Sequence, residues 1–294
     1  RSSWSANEKT AYESALGMSY AGKRTLVCMK HVGLNVAADG FMNSSITGVN
    51  GGLVIVVADD PSMHSSQNEQ DSRVYGKFAM IPVLEPSNQQ EAYDMTRYGF
   101  DLSERLRLPV LLRIPTRLSH SRSVIKPWES RKQNSLDPST DKGKWILLPA
   151  NARKNYQELL SKQEKLVALS EESNFNSVVD GNGTKAVIAF GIGFNYTMEV
   201  IDFYNLDLPV LKISQYPLPE NKRKEFTQKY DDILIVEEGY PVIEELLKGY
   251  FGNDIFRGRL DGALPRTGEL SPNLLARALG VSTNDKRVIP EIVV

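Results

Sequence analysis

Residues 53–58 read LVIVVA, and residues 59–71 after them read DDPSMHSSQNEQD. An apolar run without alternation predicts a strand buried on both faces, as in a parallel sheet covered by helices. The abrupt change to polar residues marks the carboxyl end of that strand and a loop on the rim of the sheet. Working outward, residues 25–29 (TLVCM), 80–84 (MIPVL) and 110–114 (VLLRI) have the same character. Helical patterns separate these runs. One covers residues 7–21. The best marked covers 88–106, with Ser87 before it, Gln90 three positions later as a capping box, and Pro109 as its stop. Strand–helix–strand alternation predicts an α/β fold.

The pattern breaks at residues 126–144 (KPWESRKQNSLDPSTDKGK), which are polar and contain two prolines. They read as a linker or surface excursion. A helical stretch over 152–172 follows. A second α/β pattern then has strands at 186–190 (AVIAF), 209–214 (PVLKIS) and 232–238 (DILIVEE), with helices at 195–204, 221–230 and 242–250. A short helix opens at Ser271-Pro272. The expected architecture is two three-layer α/β/α domains with mainly parallel sheets. The first covers 1–125, a linker and connecting helix cover 126–175, the smaller second domain covers 176–260, and a tail covers 261–294.

The 294 residues carry 35 Lys and Arg against 36 Asp and Glu, a net charge of −1. Bulk charge therefore draws the chain to neither nucleic acid nor an anionic membrane. No apolar run approaches the ~20 residues of a membrane span. The opening Arg1-Ser2-Ser3-Trp4 lacks the apolar core of a signal peptide. The one cysteine, Cys28, allows no internal disulfide and no iron–sulfur cluster held by this chain alone. A reducing cytoplasm is the expected compartment. The chain opens with Arg1 and not Met, which suggests processing or a piece of a longer polypeptide.

Open parallel sheets bind ligands beyond the carboxyl ends of their strands. Those positions hold Lys30, His31, Gly33 and Asn35 after the first strand, Asp59 to Asp71 with His64 after the second, and Thr116 to His120 after the fourth. All three histidines lie there. His64 and His120 look isolated, and lone histidines are more often structural. The loop from His64 to Asp71 reads either as part of a ligand site or as a polar network at a subunit interface. Glu8 opens the helix over 7–21. Ala11, Tyr12 and Ala15 share its face, with Ser19 beyond. A carboxylate on that apolar, small-residue face is desolvated, which raises its pKa. The plainer alternative is a first-turn Glu that favours the helix dipole. Gly191-Ile192-Gly193 invites a dinucleotide reading, but Tyr196 stands where the third glycine belongs. No Walker loop and no zinc-type His/Cys spacing occur. The second domain shows no obvious chemistry.

Residues 7–40 (NEKTAYESALGMSYAGKRTLVCMKHVGLNVAADG), residues 51–73 and the stretch from LEPSNQQEAYDM to LLRIPTRLSHSRS resemble the alpha subunits of indolepyruvate:ferredoxin oxidoreductases. So do LPANAR at 148–153, ILIVEEGYPVIEELL at 233–247 and LPRTGEL at 264–270. The resemblance covers almost the whole chain. It implies a pyrimidine-binding domain of the thiamine-enzyme type, followed by a transketolase C-terminal-like domain. It implies thiamine diphosphate as cofactor, arylpyruvates oxidatively decarboxylated to acyl-CoA, coenzyme A as acyl acceptor, and ferredoxin as electron acceptor. Glu8 then corresponds to the Glu that bonds N1′ of the aminopyrimidine. Lys30 and His31 would line the site near substrate or thiazolium, and Gly33 and Asn35 would adjoin the cofactor.

The family's opening Tyr-Pro-Gly-Thr-Pro type turn and any Gly-Asp-Gly motif are missing here. The diphosphate and Mg²⁺ site is therefore expected on an absent domain or second subunit, and the iron–sulfur clusters elsewhere in the complete enzyme. The chain by itself is expected to be inactive, to hold no metal, and to work as a dimer by analogy. Two alternatives are the same chemistry on another 2-oxoacid and a non-catalytic structural or regulatory subunit that kept the fold.

Overall fold

A computed structural model describes residues 2–138, 141–249, 255–281 and 289. Its strands in chain order are β1 (Thr25–Lys30), β2 (Leu53–Asp59), β3 (Val83–Leu84), β4 (Val110–Pro115), β5 (Ser177–Val179), β6 (Lys185–Phe190), β7 (Val210–Ile213), β8 (Gln215–Tyr216), β9 (Asp232–Val236) and β10 (Phe256–Arg257). Its helices are α1 (Glu8–Tyr20), α2 (His31–Thr47), α3 (Ser72–Ala79), α4 (Gln89–Leu106), α5 (Thr116–His120), α6 (Lys142–Trp145), α7 (Pro149–Ser161), α8 (Gln163–Glu171), α9 (Ile192–Tyr204), α10 (Glu220–Thr227), α11 (Val242–Lys248) and α12 (Pro272–Ala278). The strands form two five-stranded sheets, ordered β1-β2-β4-β3-β8 and β10-β9-β6-β7-β5. Only β8 in the first sheet and β5 in the second run antiparallel to their neighbours. The mixed α/β class with two mainly parallel sheets is the one expected.

Register places the chemistry. Lys30 pairs with Ala58, and Asp59 with Pro115, so β1, β2 and β4 end level on one rim. The runs of β2 and β4 are apolar because helices pack on the sheet, whereas β1, expected to be buried on both faces, alternates and leaves Leu26 and Cys28 exposed at the sheet's edge. One buried cluster runs from Tyr12, Leu34 and Phe41 through Ile55 and Leu111 to Phe190, Ile213 and Ile235, joining the two sheets. Leu34 and Phe41 are fully buried, each contributing about 1.5–3 kcal/mol by leaving water.

Several local expectations need correction. The strand expected over 80–84 shrinks to Val83–Leu84, because Met80 closes α3 in the left-handed region and Pro82 has no N–H to give a ladder. The cap of α4 is Asn88, whose Oδ1 accepts from the Glu91 N–H at 2.9 Å. Ser87 instead donates to the Glu91 carboxylate through its N–H and its hydroxyl. The helix expected over 152–172 is two, α7 and α8, meeting at Lys162. The strands β5, β8 and β10 are too short to show a period and were not expected. Residue 250, expected to end the helix from 242, lies outside the described residues.

The stretch over 126–138 is not a free linker but a strap laid on the first sheet's helices. Lys126 N–H donates to Gln90, Trp128 Nε1 donates to Asp94, and Asn134 Nδ2 donates to Glu104. Asp137 N–H donates to the Ala21 carbonyl at 3.0 Å.

Candidate active site at the rim of the first sheet

Glu8 is the first residue of α1, whose cap Asn7 accepts from the Thr10 N–H at 2.9 Å. Tyr12, Ala15 and Ser19 below it are buried, so the expected helix face is the packed one. Glu8 itself is half-buried, not fully desolvated, because it sits at the open end of that face. Its side chain lies over Gly33 in the first turn of α2. A Cβ built on Gly33 would fall 2.5 Å from Glu8 Cγ and 2.8 Å from Oε1. Among the described residues the Glu8 carboxylate has no hydrogen-bond or ion-pair partner. It is thus an acceptor held on a glycine platform and free to meet a ligand.

Lys30 and His31 are not on a loop. β1 ends at Lys30 and α2 begins at His31 with nothing between them. His31 is buried, with Nδ1 3.4 Å from the Ala58 carbonyl and Nε2 3.1 Å from the Asn68 carbonyl. Both ring nitrogens face backbone carbonyls, and an N–H at Nε2 donates to Asn68 and so braces the loop 60–71. Lys30 Nζ donates to the Ser65 carbonyl at 3.1 Å and Oγ at 3.0 Å, and lies 3.6 Å from Asp60 Oδ2. It braces the same loop. Asn35 lies on the exposed side of α2 and accepts from the Tyr75 hydroxyl. Two residues of α-helix turn through about 200°, so Asn35 cannot share the face that Gly33 turns to Glu8.

The loop's anchor was not expected. Asp60 accepts from Thr116 Oγ1 at 2.7 Å, from Ser65 N–H at 2.9 Å and from His64 N–H at 3.2 Å. Burial opposes its ionisation, but these donors outweigh it and hold the carboxyl well below the usual carboxylate range. The pinned loop carries Ser62 and Met63 at φ 69° and 57°, a pair of left-handed non-glycine residues of the kind that persists where surroundings enforce it.

His64 is not isolated. Its Nε2 lies 3.4 Å from Glu269 Oε2, which also accepts from Arg117 Nη2 at 2.7 Å. Glu269 comes from beyond the second sheet, so that part of the chain does reach the rim. His120, by contrast, is exposed at the end of α5. Cys28 is a free thiol on the exposed face of β1, and burial of part of its surface pushes its pKa up. Among the described residues no cluster of His, Cys, Asp and Glu could hold a metal ion, and no helix is long and apolar enough to cross a membrane.

Comparison with solved structures shows which fold this is. The fold is shared with a 2-oxoglutarate:ferredoxin oxidoreductase from Magnetococcus marinus, at TM-score 0.69 and 13% identity over 94% of this chain and 56% of that one. A split-gene transketolase, an inactive beta4 tetramer, matches at TM-score 0.52 and 16% identity over 96% of this chain and 83% of that one. No family model matches the chain. The indolepyruvate oxidoreductase subunit IorA of Archaeoglobus fulgidus is 43% identical over 289 residues, 95% of this chain and 46% of its own length. The IorA subunits of Methanothermobacter marburgensis and Pyrococcus abyssi are 40% and 41% identical over 98% and 95% of this chain. Over the part it shares with them, the chain belongs to the indolepyruvate oxidoreductase IorA family. It spans about half the length of these curated relatives.

Proposed function

We propose that the chain is the pyrimidine-binding and connecting half of a 2-oxoacid:ferredoxin oxidoreductase acting on arylpyruvates. The relatives' names support the indolepyruvate type, and their greater length leaves room for a diphosphate and Mg²⁺ site beyond this chain or on a partner subunit. Iron–sulfur clusters, coenzyme A and ferredoxin belong, in this reading, to the complete enzyme.

The observation that carries the reading is the unpartnered Glu8 carboxylate seated on Gly33 at the sheet's rim. That fits a group whose ring nitrogen needs an anionic acceptor. Glu8 would hold a proton at N1′ of the aminopyrimidine. Gly33 would keep Glu8 in place by giving it room. Lys30, His31 and Asp60 would shape the site indirectly, by fixing the loop 60–71. Bound thiamine diphosphate supplies the carbanion chemistry, and the protein supplies orientation and one proton site.

The test is the complete enzyme assayed for arylpyruvate- and coenzyme A-dependent reduction of a viologen dye. Glu8→Gln should lose most of the rate while its circular dichroism and melting stay unchanged. Near-normal turnover in that variant removes Glu8 from the mechanism.

A further inference from the structure

The densest set of buried charges lies away from Glu8, on the seam between the two sheets. Arg113 in β4 donates through Nε to Asp59 Oδ2 at 2.6 Å and through Nη1 to Glu85, and its Nη2 reaches the Glu238 carbonyl at 2.8 Å. Arg73 donates through Nε to Asp71 Oδ1 at 2.9 Å and through Nη1 to Glu237 Oε2 at 2.8 Å. Arg259 Nη2 lies 3.3 Å from Glu238 Oε1. Asp59, Asp71, Glu85, Arg73 and Arg113 belong to the first sheet's layer. Glu237, Glu238 and Arg259 follow β9 and β10 of the second. None of these eight groups is more than 4% exposed.

Five carboxyls thus face three guanidiniums. Neighbouring groups do not restore the balance. Tyr216 donates its hydroxyl to Glu85 at 2.6 Å and remains neutral, its pKa pushed well up by burial. Glu244 is matched by Lys248 at 2.8 Å. Glu269 is shared by Arg117 and His64, and Asp60 faces Lys30. A surplus carboxylate without water is costly, and such a group takes up a proton instead.

We propose that this seam is a proton-loaded clasp: Glu237 and Glu238 are neutral while the two sheets are docked, and their ionisation at alkaline pH loosens the contact between the sheets. The guanidiniums are shared unevenly among the five carboxyls. Asp71 accepts from both arginines and keeps its charge, held down by Arg113 and Arg73 against the opposing effect of burial. Glu237 and Glu238 have one guanidinium contact each, at 2.8 and 3.3 Å, and their backbone donors, Ile243 and Glu244 for the first and Leu270 for the second, favour the carboxylate without outweighing burial. Burial pushes each up to about 7.

The sign follows from linkage. A carboxyl whose folded pKa is raised binds its proton more tightly when folded. Its contribution is complete below the unfolded value of about 4.3 and is lost as pH rises through the folded value. Between about pH 6 and pH 9 the unfolding constant should therefore rise roughly tenfold for each group.

The experiment pairs infrared difference spectroscopy with urea unfolding of the purified protein over that pH range. We expect a buried protonated-carboxyl band at the acid end that disappears toward the alkaline end. We also expect a pH-dependent urea midpoint that flattens in Glu237→Gln/Glu238→Gln. Absence of the band in the unsubstituted protein overturns the clasp, and this arm needs no variant to fold. So does a folded double variant whose midpoint keeps the original pH slope.

Discussion

Glu8 and Gly33 compete for one volume: a methyl on Gly33 would sit 2.5 Å from Glu8 Cγ and 2.9 Å from its Cδ. Gly33 is buried in the first turn of α2, where alanine would stabilise the helix more. Its absence of a side chain makes sense only through what lies on top of it.

Gly33→Ala therefore separates position from stability. Alanine adds up to about 1 kcal/mol of helix preference, which offsets part of the steric cost. Glu8 must turn away, because the clash is with Cγ and not with a free tip. If Glu8 holds the cofactor's proton, a displacement of an ångström costs on the order of 10²-fold in turnover. The complete enzyme should lose about that much, with a melting temperature close to the parent's. Equal losses of activity and stability would point to a packing role alone.

The strap over 126–138 yields a second prediction. Gly22 has φ +88°, and a Cβ there would meet the Asp137 N and O at 3.1 Å. Gly22→Ala combines a left-handed alanine, costing roughly 1–2 kcal/mol, with pressure on the strap. The strap should then become the first site of tryptic cleavage, at Arg131 or Lys132. Mass mapping of a digestion time course reads this directly. Unchanged cleavage kinetics would mean that the side-chain bonds from Asn134 and Trp128 hold the strap unaided.

The long apolar runs made the fold legible, because parallel strands buried on both faces leave no other reading of LVIVVA or AVIAF. The Glu8 face was legible for the same reason: helical spacing fixes Tyr12, Ala15 and Ser19 on one side. Partnerships across the two sheets were hidden. Nothing local links Arg73 to Glu237, or His64 to Glu269 from a different layer. One signal was available. Asp59-Asp60 and Glu237-Glu238 are acid pairs at the ends of apolar strands, and in each case the strand end is where a buried cation waits. Composition left a linker and a surface excursion both open at the strap, because polar, proline-containing sequence describes a segment that hydrogen-bonds to a surface as well as one that does not.

Asp60 supplies the acid-side prediction. Its folded carboxyl is held below the ordinary value, so its stabilising contribution is present above the unfolded pKa of about 3.9 and is lost as pH falls through the lower folded value. Asp60→Asn preserves the shape and removes the charge. One of its two former oxygens becomes an NH₂ that faces a donor, either the Ser65 N–H or the Thr116 hydroxyl with the His64 N–H. That leaves a buried donor unmet, at a cost of about 1–3 kcal/mol at neutral pH. Because Ser62 and Met63 are left-handed only under this constraint, the loop should relax locally before the sheet does. Amide hydrogen exchange should quicken at residues 62–66 while the β2 and β4 amides stay protected. The variant's stability should also fall less than the parent's below about pH 4. Exchange that quickens equally across β2 would show that Asp60 supports the strand and not the loop, and would detach the loop from the shaping of the Glu8 site.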